Sequence, residues 1–191
     1  MVSLQFNIFA FCKIGMLPGI ATPVVTGDAD LGSNSPNRIL GTNGDDILTG
    51  DSPNNVLLSL RGNDSLDGGV GNDTIFGGKA NDTLLGGSGD DVLFGNRGDD
   101  VLNGGLGNDS LTGGNGVDKL LLSTNSGTDT ITDFEVGKDL LVLGNGLTFS
   151  QLSITQENTS TFIRLSATGE ILASLNGVTA SAINATNFGS I

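Results

Sequence analysis

Between Gly32 and Leu121 a large aliphatic residue recurs at every ninth position: Ile39, Leu48, Leu57, Leu66, Ile75, Leu84, Leu93, Leu102, Leu111 and Leu120. Lines of nine fit this segment without a gap, starting at Gly32, Gly41, Gly50, Ser59, Gly68, Gly77, Gly86, Gly95, Gly104 and Gly113, with the aliphatic column at position 8. Position 6 is just as regular and polar: Asn37, Asp46, Asn55, Asp64, Asp73, Asp82, Asp91, Asp100, Asp109 and Asp118. Position 1 is Gly in nine of the ten lines and position 4 in seven. A fixed period marks a repeat architecture, in which one unit buries almost nothing and stacked units share a core. Alternation at positions 7 to 9, as in Thr74-Ile75-Phe76, suits a short strand with one inward side chain. A disordered Gly/Asn/Asp linker would scatter its aliphatic residues over all nine columns.

Composition narrows the chemistry. The 191 residues include 31 Gly but no Trp, Tyr or His. Without His the chain lacks the commonest general base, the Ser-His and Cys-His pairs and every imidazole ligand. A net charge of −13, with only eight Lys and Arg, argues against nucleic acid or an anionic membrane as partner. It favours a hard cation that accepts carboxylate and carbonyl oxygens, such as calcium. The lone Cys12 forms no internal disulfide and gives no compartment. No apolar stretch is long enough for a membrane span.

The columns follow the pattern G-G-x-G-x-D-x-U-x, with U a large aliphatic residue. Lines such as GGVGNDTIF (68–76), GGSGDDVLF (86–94) and GGLGNDSLT (104–112) fit it throughout. The chain therefore resembles the RTX, or haemolysin-type calcium-binding repeat, family, strongly over residues 41–121 and weakly over 32–40. The resemblance implies an all-β fold, a right-handed parallel β-roll. Its first six residues per line form a calcium-binding turn, the last three a short strand, and two lines complete one turn.

Residues 18 apart then lie on the same side, one rung apart at roughly 4.8 Å. One column is Asp46, Asp64, Asp82, Asp100 and Asp118; the other is Asn37, Asn55, Asp73, Asp91 and Asp109. Adjacent carboxylates at that distance repel by about 1 kcal/mol in water and by more when partly buried. A calcium ion between rungs reverses the sign, taking a carboxylate from each of two turns and completing its shell with carbonyls. By resemblance those carbonyls lie near Gly41, Gly44, Gly68, Gly69, Gly71, Gly77, Gly86, Gly87, Gly89, Gly98, Gly104, Gly105, Gly107, Gly113 and Gly116. Glycine at positions 1, 2 and 4 is expected to supply positive φ and close approach. The first column has four adjacent acidic pairs and Asp73, Asp91 and Asp109 give two more, so about six Ca2+ ions are expected. The carboxylates at position 5, Asp45, Asp90 and Asp99, are read as solvated.

The pattern breaks in informative places. Pro53 and Ala80 replace the position-4 Gly, and Leu60 and Asn96 stand at position 2, where an L-residue at positive φ is strained, except that Asn tolerates it. After Leu121 the register slips by two residues. TNSGTDTIT (124–132) reads as a degenerate unit whose Asp129 supplies a seventh ion site if it completes the second column. Asp133-Phe134-Glu135-Val136-Gly137-Lys138-Asp139 resembles the D-F-x-x-G-x-D segment that closes many RTX arrays. Beyond it LLVL, LSITQ, TFIRL and EILASL read as strands of an antiparallel β cap. The expected division is a leader or edge segment at 1–31, the calcium-binding roll at 32–132 and the cap at 133–191.

The leading reading is calcium binding coupled to folding in a secreted or surface-located bacterial protein without catalytic activity of its own. The apolar N-terminus is a poor signal peptide, since it lacks a basic start and Lys13 interrupts it. By resemblance, the C-terminal region is a candidate type I secretion signal, with an exporter as partner. Two alternatives stand beside this reading. One is the tail or remnant of a protease, lipase or epimerase; the other is a structural or adhesive surface protein, although position 3 is too irregular for a flat ligand-binding face.

Overall fold

Each position-8 side chain from Ile39 to Leu120 is at most 2% exposed, so every line sends its aliphatic group to the same interior. In the computed structural model, which describes residues 14–15, 24–26, 37–51 and 53–190, this stack is the spine of a parallel β-solenoid of about six turns. Successive lines alternate between two facing sheets, so a strand pairs with the one two ahead of it rather than with its neighbour in sequence. The first sheet runs β1 (Ile14–Gly15), β2 (Val24–Thr26), β4 (Ile47–Thr49), β6 (Ser65–Val70), β8 (Thr83–Ser88), β10 (Val101–Leu106), β12 (Lys119–Leu122), β14 (Leu140–Leu143) and β18 (Phe188–Gly189). The second runs β3 (Asn37–Leu40), β5 (Asn55–Leu58), β7 (Thr74–Lys79), β9 (Val92–Arg97), β11 (Ser110–Asn115), β13 (Asp129–Ile131), β17 (Ile171–Asn176), β16 (Ser160–Leu165) and β15 (Leu152–Glu157). Register along both is 18 residues, as in Leu66 to Leu84 to Leu102 and Ile75 to Leu93 to Leu111. The fold is all-β, as the column pattern predicts.

Two details depart from the sequence reading, strand length and the place of LLVL, while the degenerate unit at 124–132 stacks as expected. The strands of the regular lines span six residues, from position 7 through position 3 of the next line, where three were expected. The cause is that the chain keeps its parallel ladder past the buried position-1 glycine, pairing Gly69 with Gly87 and Gly87 with Gly105. The register slip is absorbed in the loop at 123–128, and Ile131 still stacks beside Leu111. LLVL belongs to the roll, because β14 is the next parallel rung after β12. An antiparallel meander is present in β15, β16 and β17, but β17 itself joins β13 in parallel, so both sheets continue without a break past residue 132. Residues 1–31 lie outside the described residues except for β1 and β2, and β2 adds a parallel rung to β4.

The expected left-handed conformations are present at positions 2 and 4 from Leu60 onward, and not at Thr42, Gly44, Asp51 or Pro53. Among the replacements, Leu60 has φ 81°, Ala80 φ 77° and Asn96 φ 74°. A left-handed L-residue costs about 1–2 kcal/mol, and the extra unfolded-state freedom of Gly costs back about 0.4–1 kcal/mol. Strain wins at position 80. We therefore expect Ala80→Gly to stabilise the calcium-loaded roll by about 0.5–1 kcal/mol, measured by urea denaturation. Leu93→Ala, which empties the middle of the spine, should cost about 2–5 kcal/mol in the same assay.

Candidate metal site

The position-6 aspartates point inward at the turns and are 0–3% exposed from Asp46 to Asp118. Each lies one rung from the next, and one carboxylate oxygen is already committed. Asp64 Oδ1 accepts the Asp46 N–H at 2.8 Å, Asp82 Oδ1 that of Asp64 at 2.8 Å, and Asp100 Oδ1 that of Asp82 at 2.8 Å. The Asp118 carboxylate does the same for Asp100 at 2.9 Å. In the second column Asp73 serves Asn55, Asp91 serves Asp73 and Asp109 serves Asp91, at 2.6, 2.7 and 2.8 Å. These bonds fix every carboxylate in one orientation.

The other oxygen has nothing. Oδ2 of Asp64, Asp73, Asp82, Asp91, Asp100, Asp109 and Asp118 is buried and makes no hydrogen bond. A buried, unpartnered carboxylate oxygen is costly, and seven in register mark a system built for a missing partner. Backbone oxygens face the same gaps. The place a Cβ on Gly77 would take lies 2.6 Å from Asp82 Oδ2 and 2.9 Å from the Gly95 carbonyl oxygen. At Gly68 the corresponding distances are 2.6 Å to Asp73 Oδ2 and 2.5 Å to the Gly86 carbonyl oxygen. Position 1 is therefore glycine for space and not for positive φ, which it does not adopt; this corrects the sequence expectation. From Leu60 onward positions 2 and 4 do adopt it, and their carbonyls face the following rung, as Gly69 faces Gly87 and Gly89 faces Gly107. No three acidic side chains converge on one point among the described residues. A cation held here would take most of its oxygens from the backbone, as a hard cation such as calcium accepts.

The column ends differ from the middle. Asp46 turns Oδ2 to its own line and accepts the Thr42 N–H at 2.6 Å. Asn55 accepts from Asp51 N–H and donates to its carboxylate. Asp129 takes its place in the second column, accepting the Asp109 N–H at 3.2 Å across a 20-residue interval. Asp139 ends the first column in the same way: it is 3% exposed, and its Oδ1 accepts the Asp118 N–H at 3.1 Å. Sequence reasoning missed Asp139 as a column member, although the closing segment contains it, because its 21-residue interval hides it from a nine-residue frame. Asp133 caps Gly113 and Gly114 N–H groups instead.

Position 5 holds a second ladder, which the sequence reading took for plain solvation. Asp45, Asp90 and Asp99 are exposed, yet each accepts an N–H from the following rung, of Asn63, Asn108 and Val117, at 2.8 Å. Asn54, Asn63, Asn72, Asn81 and Asn108 do likewise. A neutral amide does this as well as a carboxylate, which explains the mixture of Asn and Asp there.

Burial pushes the inner carboxylates up, and neighbouring charges push further. Asp82 and Asp91 are raised to about 7, each squeezed between like charges one rung above and below. Asp100 and Asp118 rise to about 6 and Asp129 to about 7, again first by desolvation.

Residues 31–120 match the RTX calcium-binding nonapeptide repeat family in three successive segments, 31–64, 54–84 and 85–120. No curated protein matches the chain. Among solved structures, it is similar to the crystal structure of the extracellular lipase LipA from Serratia marcescens, at 19% identity and TM-score 0.36. That likeness covers 87% of this chain and 42% of the lipase chain, so the present chain spans less than half of it. It is also similar to the solution structure of the AlgE6R3 subunit of the Azotobacter vinelandii mannuronan C5-epimerase, at 21% identity and TM-score 0.34, covering 85% of this chain and 82% of that one.

Two expectations follow. A carboxylate whose pKa is raised by folding favours the metal-free roll below the unfolded value near 3.8 and loses that contribution as pH climbs through about 6 to 7. Calcium needs the charged form. In chelator, β signal should thus be greater at pH 4 than at pH 7.5. The calcium midpoint of folding should instead fall by roughly tenfold or more between pH 5 and pH 8; a pH-independent midpoint would contradict the site. Asp82→Asn keeps the acceptor for Asp64 N–H but removes the charge, and should raise that midpoint by roughly tenfold. Asp90→Asn, on the outer ladder, should leave it within about twofold; equal shifts would dissolve the distinction between the two ladders.

Proposed function

From the premise that residues 31–120 are RTX calcium-binding nonapeptide repeats, we propose that ions between successive rungs fold this chain, which serves as a calcium-dependent module of a secreted or surface bacterial protein. The observation that carries this reading is the register of seven buried, unpartnered Oδ2 atoms. One calcium ion for each gives up to seven, held by Asp64, Asp73, Asp82, Asp91, Asp100, Asp109 and Asp118 with help from Asp46, Asp129 and Asp139 at the column ends, the Asp64 site being the one whose gap the Ser59 side chain shares. The sequence count of about six, with a seventh if Asp129 completes the second column, agrees closely with this one, which is taken from the unpaired oxygens.

Sites built from one or two carboxylates and mostly neutral carbonyls belong to the weaker class that loads where calcium is abundant. That supports an extracellular setting, with a type I exporter passing the chain unfolded and calcium folding it outside. The absence of His throughout the sequence supports a role without catalysis. Two aliphatic side chains per turn contribute only about 1.5–3 kcal/mol each, small beside the cost of ordering eighteen residues. Metal must supply much of the difference.

A circular-dichroism titration tests this. In chelator at neutral pH the signal should be largely that of a disordered chain, and roughly millimolar calcium should produce a cooperative gain of β structure. Magnesium should substitute poorly, because it demands tight octahedral, partly hydrated coordination. Full β structure in excess chelator at pH 7.5 would refute coupled folding.

A further inference from the structure

On the outer face of the second sheet, three cations stand one above another. Arg61 bridges to Lys79 and Lys79 pairs in register with Arg97, and all three side chains are exposed. They take part in neither of the salt bridges formed among the described residues. The acid nearest in sequence, Asp99, is turned to the Val117 N–H. Three of the eight cations of an otherwise acidic chain thus sit stacked and unpaired. Beside them runs an apolar ladder in which Phe76 and Phe94 stack with centroids 5.0 Å apart. Between the two lies a groove of about 400 Å³ lined by Leu58, Leu60, Phe76, Lys79, Asn96 and Arg97.

One of those lining residues is strained. Leu60 occupies position 2 at φ 81°, a conformation that glycine adopts without strain, and it remains 43% exposed. Strain retained in a side chain that packs little points to use of that side chain elsewhere. We propose that this groove binds an acidic amphipathic helix of a partner protein, laid along the roll axis.

Spacing selects the occupant. Two rungs advance about 9.6 Å, and two turns of an α-helix about 10.8 Å. Acids one turn apart would thus meet Arg61, Lys79 and Arg97 within side-chain reach, with an adjacent apolar stripe on Leu58, Leu60 and Phe76. An extended peptide repeats its side chains every ~6.7 Å and is out of step by about 4 Å over the same distance. The proposal rests on the calcium-loaded reading, since seven divalent ions carry fourteen positive charges against the net −13. Loading leaves the chain near neutral and removes the repulsion that an acidic partner would meet.

The test is a fluorescence-anisotropy titration of the full chain in saturating calcium, with the roll confirmed by circular dichroism. The probe is a synthetic helix of about five turns with Glu at successive turns beside a Leu stripe. Controls are the same composition scrambled around the helix, a linear polycarboxylate glycan and anionic vesicles. The striped helix should bind in preference to all three. Lys79→Glu should weaken it by roughly tenfold or more. Leu60→Gly should weaken it severalfold while lowering the calcium midpoint of folding, the combination expected of functional strain. The proposal falls if the striped helix does not bind or the scrambled one binds as well. It falls too if the glycan or vesicles are preferred, or if both variants bind like the parent chain. Because folding is read separately, a chain that folds with calcium but ignores the helix overturns this inference alone.

Discussion

Everything in this molecule is arranged around a carboxylate oxygen that the protein leaves unsatisfied. A column aspartate spends Oδ1 on an N–H one rung back, which locks its rotamer and aims Oδ2 into the gap ahead, as in Asp82 between Asp64 and Asp100. Left alone, such an array combines buried charge with like-charge neighbours at strand spacing, and the upward displacement of the Asp82 and Asp91 pKa values to about 7 records that conflict. A divalent ion resolves both costs at once, by supplying the missing partner and opposite charge. The thin core cannot substitute for it, since each turn adds only one aliphatic side chain per sheet. On the proposed reading calcium belongs to the interior of the roll and is not an addition to it.

The glycines answer to the same constraint in two different ways. At position 1 the requirement is volume, because a Cβ on Gly77 would crowd both Asp82 Oδ2 and the Gly95 carbonyl. At positions 2 and 4 the requirement is conformation, with positive φ turning carbonyls toward the next rung. Ser59 shows what replacement at position 1 entails: its hydroxyl fills the space and donates to the Gly77 carbonyl. That oxygen is then engaged by the protein where a neighbouring line leaves its counterpart to face the gap. Leu60 and Ala80 show the other case, where the conformation survives at a cost in strain, and Asn96 shows the replacement that tolerates it.

Much of this was legible in the sequence because the period is short and chemically pure. The position-8 column named the core residues, and the position-6 column named the aspartates that stand in register. What escaped notice did so for definite reasons. Asp139 joins the first column through a loop that adds residues to the interval, so spacing alone could not place it. The position-5 ladder depends on the direction in which exposed Asn and Asp oxygens turn, which composition does not encode. Strand length beyond position 9 depends on parallel pairing through glycines, residues that read as turn formers. LLVL follows the closing segment and so reads as part of the cap, whereas its pairing with β12 makes it a further rung.

The central claim is that ions occupy the gaps in front of seven unpartnered oxygens. Equilibrium dialysis against calcium, followed by quantitative metal analysis of the folded chain, tests it most directly. The account predicts close to seven calcium ions per chain, falling by one or two in Asp82→Asn while the remainder stay bound. One or two ions on the parent chain, with the roll nonetheless fully formed, would contradict it.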